Sequence, residues 1–506
     1  MTAFAQIPLG TPIPDSPHAV SCSLPTMAAV RGYEEKDPAV TSRLRSGYPR
    51  FVVHPFARRL ASVLSERHGL AGRTLWLASS RAMAGALLEH LRLAGPAGSG
   101  AEAFAADGVH GVSHPESAAL ALRAKRYLQN IGGFLSSREA EDRLAQIGAG
   151  PAPGGEETFA GDARQEVLRF LRPMFSGVPD ANLMLANSGM NAIHAAFRAV
   201  SDLQAPKGRT AWVQLGWLYL DTIAILRTFT ASPDDYIHAR DVMDLAGLGR
   251  LFAERGSRIA GVMAEVPTNP LVQTPDVAAL AALCRGHGIT LILDPSLVSA
   301  FSADCLPHAD LVVTSLTKYT GNEGDVLAGL VAVNPAAPEA DALRRGVSAV
   351  IEPPYCRDQA RLAAQIRNTG AVLAAIEETT PKVASFLASH PAVRTTHWAL
   401  EPSSRENYLR IARTQGATGG IITFTLSGPL ERFYDRLRLP KGPSFGMRTT
   451  LICPFMYLAH YDLVNTPRGR AELNANGLDP DMLRLCVGTE PADEIIGALA
   501  EALGAR

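Results

Sequence analysis

From residue 182 onward, short apolar blocks alternate with amphipathic stretches. NLMLANS reads as a strand, and GMNAIHAAFRAVSDL directly after it as a helix. TAWVQLG and RIAGVMAEVP read as strands. DVAALAALCRGHG reads as a helix: Val277, Leu280, Ala281 and Cys284 share one face at i, i+3, i+4 and i+7, and Gly286 and Gly288 stand at its end. ITLILD, ADLVVTS and DVLAGLVAVN predict three further strands. These strand blocks are continuously apolar, the pattern of a mostly parallel sheet covered on both faces.

The flanking regions follow other rhythms. Residues 1–45, rich in proline and small residues, predict an extended arm. Residues 46–93 mix apolar and basic positions at helical spacing, with a strand at 74–78. After the loop AGPAGSG, the stretch PESAALALRAKRYL predicts a helix beginning at Pro115, and GAGPAPGG is a second break. From Glu339 the chain becomes helix-rich, with shorter strands at GGIITFTLSG and MLRLCVG. These shifts divide the chain into 1–125 (arm and extra region), 126–338 (large sheet-bearing domain) and 339–506 (smaller C-terminal α/β domain).

Composition narrows the class of function. The chain has 506 residues, 47% hydrophobic and 19% charged, enough for two or three domains with a large core. A formal net charge of -1 provides no basic field for nucleic acid. No apolar run reaches the roughly 18–20 residues that cross a bilayer. The opening residues lack the basic and apolar regions of a secretory signal, so a soluble cytoplasmic protein is expected. The six cysteines (Cys22, Cys284, Cys305, Cys356, Cys453 and Cys486) are scattered, and the 13 histidines form no HExxH, so neither a metal site nor a disulfide framework is expected.

Parallel α/β sheets place their ligand sites at the carboxyl ends of strands. Those ends carry Asp294 after ITLILD and Ser315, Thr317 and Lys318 after ADLVVTS. Ser188, Gly189 and Met190 open a helix after NLMLANS. Glu265 and Asn269 follow another strand, and Tyr219 and Thr222 another. Singly, each has a plainer reading: Lys318 as a solvated side chain, Asp294 as a loop carboxylate, Ser188 as a helix cap, Tyr219 as core packing. Together they match what pyridoxal phosphate (PLP) requires. Its aldehyde needs a lysine, its ring nitrogen an adjacent carboxylate, its phosphate a helix N-terminus and hydroxyls, and its flat ring an aromatic partner.

The same residues resemble the Cys/Met-metabolism family of PLP-dependent enzymes, and the opening, PLGTPIPDSPHAVSCSLP…RGYEE and then SGYPRFVVHP, resembles its long cystathionine γ-synthase-like branch. NSGMNAI resembles the family's SSGMAAI, and YLDT its YGGT, whose tyrosine, here Tyr219, stacks on the ring. AEVPTNPLVQTPDVAALAALCRGHGITLILDPS is similar to E-x-P-x-NP…D…VVDNT, which carries Asn269 to the ring hydroxyl and Asp294 to the ring nitrogen. TSLTKYTGNEGDVLAG resembles HSxTKYxxGHxDxxxG, making Lys318 the lysine that bonds the aldehyde and Ser315 and Thr317 phosphate contacts. PSFGMRTTLICP and LRLCVGTE resemble SLGGxESLxxxP and iRLSVGIE, carrying Ser444 and Arg484 to the substrate, with Arg484 on its α-carboxylate. The likeness runs from about Tyr127 to the C-terminal region.

It also has departures. Asp-Asn-Thr is Asp294-Pro295-Ser296, Gly-His is Gly321-Asn322, and the LSVG serine is Cys486. The family's Y-x-R element, which reaches the neighbouring subunit's phosphate, has two candidate regions: Tyr127, with Gln129 in place of the arginine and Arg138 as substitute, or Tyr48 with Arg50. The first is favoured, since SSREAEDRLAQIGAG continues as the family does.

The resemblance implies the type I (aspartate-aminotransferase-like) PLP fold with an extra N-terminal region. It also implies a homodimer or homotetramer acting on amino-acid substrates. The leading expectation is γ-replacement on an activated homoserine ester by a thiol such as cysteine, with Lys318, Tyr219 and Asp294 catalytic. The alternatives are a cystathionine or methionine β- or γ-lyase, or a catalytically inactive PLP-fold binding protein.

Overall fold

The computed structural model describes residues 4–46, 53–98 and 100–504. Tyr48 and Arg50 lie outside these. The apolar blocks of the central region form a seven-stranded sheet. Its strands are β6 (Leu183–Ala186), β7 (Ala211–Leu215), β8 (Tyr236–Ala239), β9 (Ile259–Glu265), β10 (Thr290–Asp294), β11 (Leu311–Ser315) and β12 (Gly329–Val333). The spatial order is β6-β12-β11-β10-β9-β7-β8. Pairings are parallel from β11 to β8, whereas β12 runs antiparallel to both β11 and β6.

Both faces are buried, which explains the unbroken apolar runs. Trp212, Ile292, Val313 and Val331 pack with the helix Gly189–Gln204 on one side. Val213, Leu291, Leu293 and Val312 face the other, under the helices Leu245–Arg255, Val277–Gly286 and Cys356–Gln365. The Val277–Gly286 helix buries Val277, Leu280, Ala281 and Cys284, the face read from its periodicity.

Beyond residue 339 a four-stranded antiparallel sheet forms: β13 (Val393–Trp398), β14 (Ile421–Leu426), β15 (Leu451–Pro454) and β16 (Leu483–Cys486), in the order β13-β14-β16-β15. The helices Thr369–Ser389 and Ala492–Leu503 cover it.

The N-terminal region is more structured than its composition suggests. β1 (Pro12–Ile13) and β2 (Ser21–Cys22) make a two-residue antiparallel ladder. The helix Met27–Glu34, capped by Thr26, buries Met27, Val30 and Tyr33 in the main core, so the arm is only partly extended. The expected strand at 74–78 is β3 (Arg73–Ala78). It pairs with β5 (Val109–Pro115), which in turn pairs with β4 (Glu102–Ala106). Pro115 therefore closes a strand and does not begin a helix. The helix is Ala118–Ile131, started by Ser117, whose hydroxyl accepts the Leu120 N–H. Among the described residues no helix is long and apolar enough to cross a membrane, no group of residues is arranged to hold a metal ion, and the cysteines are free thiols.

Candidate active site

The strand tips converge on one cavity. It is lined by Gly189, Met190, Tyr219, Asn269, Asp294, Ser315 and Lys318 from the large sheet and its loops. From the C-terminal sheet region come Ser444, Phe445, Phe455 and Arg484. β9 and β10 run in parallel register, which places Glu265 beside Asp294 at their common end. Lys318 follows β11 at the next tip.

Lys318 is buried. Its Nζ donates to Ser444 Oγ at 3.1 Å and lies 4.8 Å from the centre of the Phe445 ring. Burial lowers its pKa to about 7, with the nearby Arg484 charge adding to the shift. The side chain is thus poised between ammonium and nucleophilic amine at neutral pH. The Arg484 guanidinium lies between two rings, 4.9 Å from Phe445 and 4.6 Å from Phe455. Nη1 reaches Asn269 Oδ1 at 3.4 Å, and Nη2 donates to the Ser444 carbonyl at 3.2 Å. Stacking and anchoring hold the planar fork in one orientation, as bidentate capture of a carboxylate requires.

Asp294 and Glu265 are buried together, and burial pushes both carboxyls above the ordinary range; for Glu265 the Asp294 charge contributes next. Asp294 accepts the Ser296 N–H at 2.8 Å, so the Asp-Pro-Ser departure still fixes the carboxylate. Ser296 Oγ accepts the Ser315 N–H at 2.7 Å and ties the two tips together. The Glu265 carboxylate accepts the Tyr219 N–H and so pins the turn that carries that ring.

The donor set fits PLP. Ser315 Oγ is buried, lines the cavity and has no hydrogen-bond partner among the described residues, as expected for a hydroxyl reserved for an oxyanion. Beside it, a Cβ on Gly189 would fall 2.9 Å from Ser315 Cβ, so only glycine leaves this space at the helix N-terminus. Asp294 and Lys318 supply the carboxylate and the amine that the ring nitrogen and aldehyde need.

Several expected residues are elsewhere. Ser188 does not line this cavity: its hydroxyl accepts the Asn191 N–H at 3.2 Å as the helix cap, the plainer of its two readings. Thr317 is turned into the backbone, its Oγ1 accepting the Ala328 N–H at 3.0 Å and donating to the Ala328 carbonyl at 3.3 Å. It braces the return into β12 and does not line the cavity. Tyr127 stacks on His90 at 4.0 Å, away from the site. Arg138 is enclosed by carboxylates: Nη2 meets Glu156 at 2.7 Å and Nη1 meets Asp358 at 3.0 Å, with Asp325 at 3.6 Å. Its charge is fully used inside the subunit. It lines a different cavity, of about 690 Å³, between the N-terminal region and the large domain.

Glu265, Ser296, Phe445, Phe455 and Cys453 were not among the expected site residues. Glu265 was legible as the last residue of a strand next to that of Asp294. The aromatic and thiol positions come from the C-terminal sheet, where no spacing pattern marks them.

A model of the Cys/Met metabolism PLP-dependent enzyme family matches residues 176–504. An L-2-amino-4-chloropent-4-enoate dechlorinase/desaturase of Streptantibioticus cattleyicolor is 39% identical over 493 residues, covering 97% of each chain. A cystathionine gamma-synthase of Neurospora crassa is 27% identical, covering 98% of each. The cystathionine gamma synthase structure from Xanthomonas oryzae pv. oryzae superposes with a TM-score of 0.58 at 22% identity, over 72% of this chain and 95% of that one.

Proposed function

The chain belongs to the Cys/Met metabolism family of PLP-dependent enzymes, and on that premise we propose that it eliminates a γ-substituent from an L-2-amino acid with a small apolar side chain. The supporting observation is the charge inventory of the cavity. Among the described lining residues, Lys318 and Arg484 are the only cations. Lys318 is committed to the cofactor, which leaves one guanidinium for one α-carboxylate. The remaining wall includes Ile193, Leu297, Phe455, Leu458 and Ala459. A second amino acid such as cysteine would bring another carboxylate, and a buried carboxylate without a partner costs several kcal/mol. An apolar γ-carbon with a departing group needs no such partner.

When bound, the cofactor supplies an electrophilic aldehyde and a protonated ring that draws electrons from the substrate α-carbon. Asp294 keeps the ring nitrogen protonated through its negative charge, which the ring's positive charge in turn stabilises against burial. Arg484 binds the α-carboxylate and orients the Cα–H bond towards Lys318. Lys318 Nζ, neutral for much of the time near pH 7, accepts the Cα proton. Ser444 Oγ steers that amine. The apolar wall keeps water from the γ-carbon. There the substituent departs with its bonding electron pair as a second proton, from Cβ, is taken by Lys318 once it has released the first, the Cβ–H pair becoming the new Cβ–Cγ π bond.

The deciding experiment offers L-2-amino-4-chloropent-4-enoate in one reaction and O-acetyl-homoserine with cysteine in another. Chloride release in the first, with no thioether in the second, supports elimination. Thioether without chloride release establishes the competing γ-replacement, for which the likeness to the Neurospora crassa enzyme speaks. We also propose a homodimer or homotetramer, testable by analytical sedimentation.

A further inference from the structure

The N-terminal arm passes directly behind the substrate side of the site. β2 lies along the backbone of residues 441–443. Leu24 N–H donates to the Lys441 carbonyl at 2.9 Å, and Ser21 Oγ donates to the Pro443 carbonyl at 2.6 Å. Ser21 is fully buried. The approach is so close that a Cβ on Gly442 would lie 2.4 Å from the Cys22 carbonyl oxygen. The arm is anchored in turn on the rest of the molecule. Val20 N–H donates to the Gly324 carbonyl at 2.8 Å, and Ser46 Oγ to the Ser21 carbonyl at 3.0 Å. The His18 ring bonds Ser137 Oγ at 3.0 Å, and His54 Nε2 bonds the Pro17 carbonyl at 2.8 Å.

The residue after Pro443 is Ser444, whose φ of +86° is left-handed and unfavourable for a side chain with a Cβ. Such a conformation persists only when its surroundings hold it. Ser444 also hydrogen-bonds both functional cations: Oγ accepts from Lys318 Nζ and the carbonyl accepts from Arg484 Nη2. Gly446 packs against the Tyr319 backbone on the far side, where an added Cβ would meet its nitrogen at 2.8 Å. Besides those two cations, the arm anchors the loop one residue before this strained position, through the bond to the Pro443 carbonyl.

We propose that Ser21 is a positioning residue: through the Pro443 carbonyl it holds Ser444 in its left-handed conformation and thereby sets the placement of Arg484 relative to Lys318. The proposal rests on the cavity being a PLP site for an α-amino acid, and is independent of whether the γ-substituent is eliminated or replaced.

The test compares Ser21→Ala and Gly442→Ala with Arg31→Ala, which removes an arm contact, the surface pair with Glu431, remote from the loop. Two readouts apply. One is amide hydrogen exchange over residues 442–447 in the cofactor-free protein. The other is the dissociation constant of L-norvaline, which has no leaving group, followed by the absorbance change of the holoenzyme. Ser21→Ala should speed exchange over 442–447 and weaken norvaline about three- to tenfold, the range of one lost neutral hydrogen bond. Gly442→Ala should act in the same direction, and Arg31→Ala should do neither. Unchanged exchange and affinity in Ser21→Ala overturn the proposal. So does a lowered melting temperature with unchanged norvaline affinity, which marks a merely structural bond, or an equal effect from Arg31→Ala. Failure of the parent holoenzyme to respond to norvaline counts against the reading of the cavity, and exchange over 442–447 then decides the role of Ser21 alone.

Discussion

Replacing Arg484 isolates the interaction on which substrate recognition depends. Two aromatic rings and two polar anchors immobilise its guanidinium before any substrate arrives. A carboxylate therefore gains two charge-assisted hydrogen bonds with little ordering cost. Each is worth about 1.5–3 kcal/mol; as a pair sharing one group they contribute about 3–4 kcal/mol rather than the full sum. At about 1.4 kcal/mol per tenfold, Arg484→Ala should lower kcat/KM about 100- to 1000-fold. Arg484→Lys keeps a cation but loses the planar fork and the ring stacking, and should recover about tenfold of that loss. The diagnostic assay measures kcat/KM of each variant for the amino-acid substrate and for its α-carboxamide. The parent should prefer the carboxylate by about the factor that Arg484→Ala loses, and the variant should accept both alike. An Arg484→Ala enzyme that keeps the parent's preference would show that another group binds the carboxylate.

Four further outcomes follow from the geometry. Aldehyde capture by Lys318 needs the neutral amine, so the rate at which cofactor-free protein takes up PLP should rise with pH and level off above about 7; Arg484→Ala removes a neighbouring positive charge and should move that inflection to higher pH, as read by absorbance. Ser315→Ala removes a hydroxyl with no partner among the described residues, so it should leave the melting temperature of the cofactor-free chain unchanged while weakening PLP about 10- to 100-fold. Thr317→Val should do the reverse, losing about 1–3 kcal/mol of stability because the buried Ala328 N–H loses its acceptor, with PLP affinity little altered. Arg138→Ala leaves buried Asp358 without its cation, while Arg357 and Arg361 still pair Glu156 and Asp325, and should cost about 3–5 kcal/mol in urea unfolding, with PLP affinity per folded molecule unchanged.

The large sheet and most of its tips were legible because a doubly covered strand must be apolar throughout, and because chemistry at a strand end follows at once in the chain. Lys318, Asp294, Asn269 and Gly189 could thus be placed from the residues beside them. Thr317 could not: its hydroxyl has two possible clients one turn apart, and the antiparallel return of β12 brings the Ala328 backbone to it first. Helix-forming runs with an aromatic residue and an arginine look alike wherever they occur, so the sequence did not show that Tyr127 packs on His90 and Arg138 among carboxylates, both away from this subunit's own cavity. Only packing shows that Arg138 belongs to a buried network with Glu156, Asp325 and Asp358. The hairpin β4–β5 was missed because EAFAA and VHGVSHP carry little strand propensity; it is held by β3 and the helices around it. The arm gave a proline-rich signal and no hint of its target, since its partners lie far along the chain.

That separation governs how the molecule is made. Ser21 and its carbonyl partner are 422 residues apart, and Met27 bonds Asp435 across 408. Synthesis adds about 5–20 residues per second, so the arm waits on the order of half a minute, and more at the slower rates, before its docking groove exists. Throughout that interval Met27, Val30 and Tyr33 have no finished surface to cover them. These residues leave the ribosome long before their partners and are among the last to be stowed, and a nascent chain stalled before residue 435 would present them to chaperones and proteases.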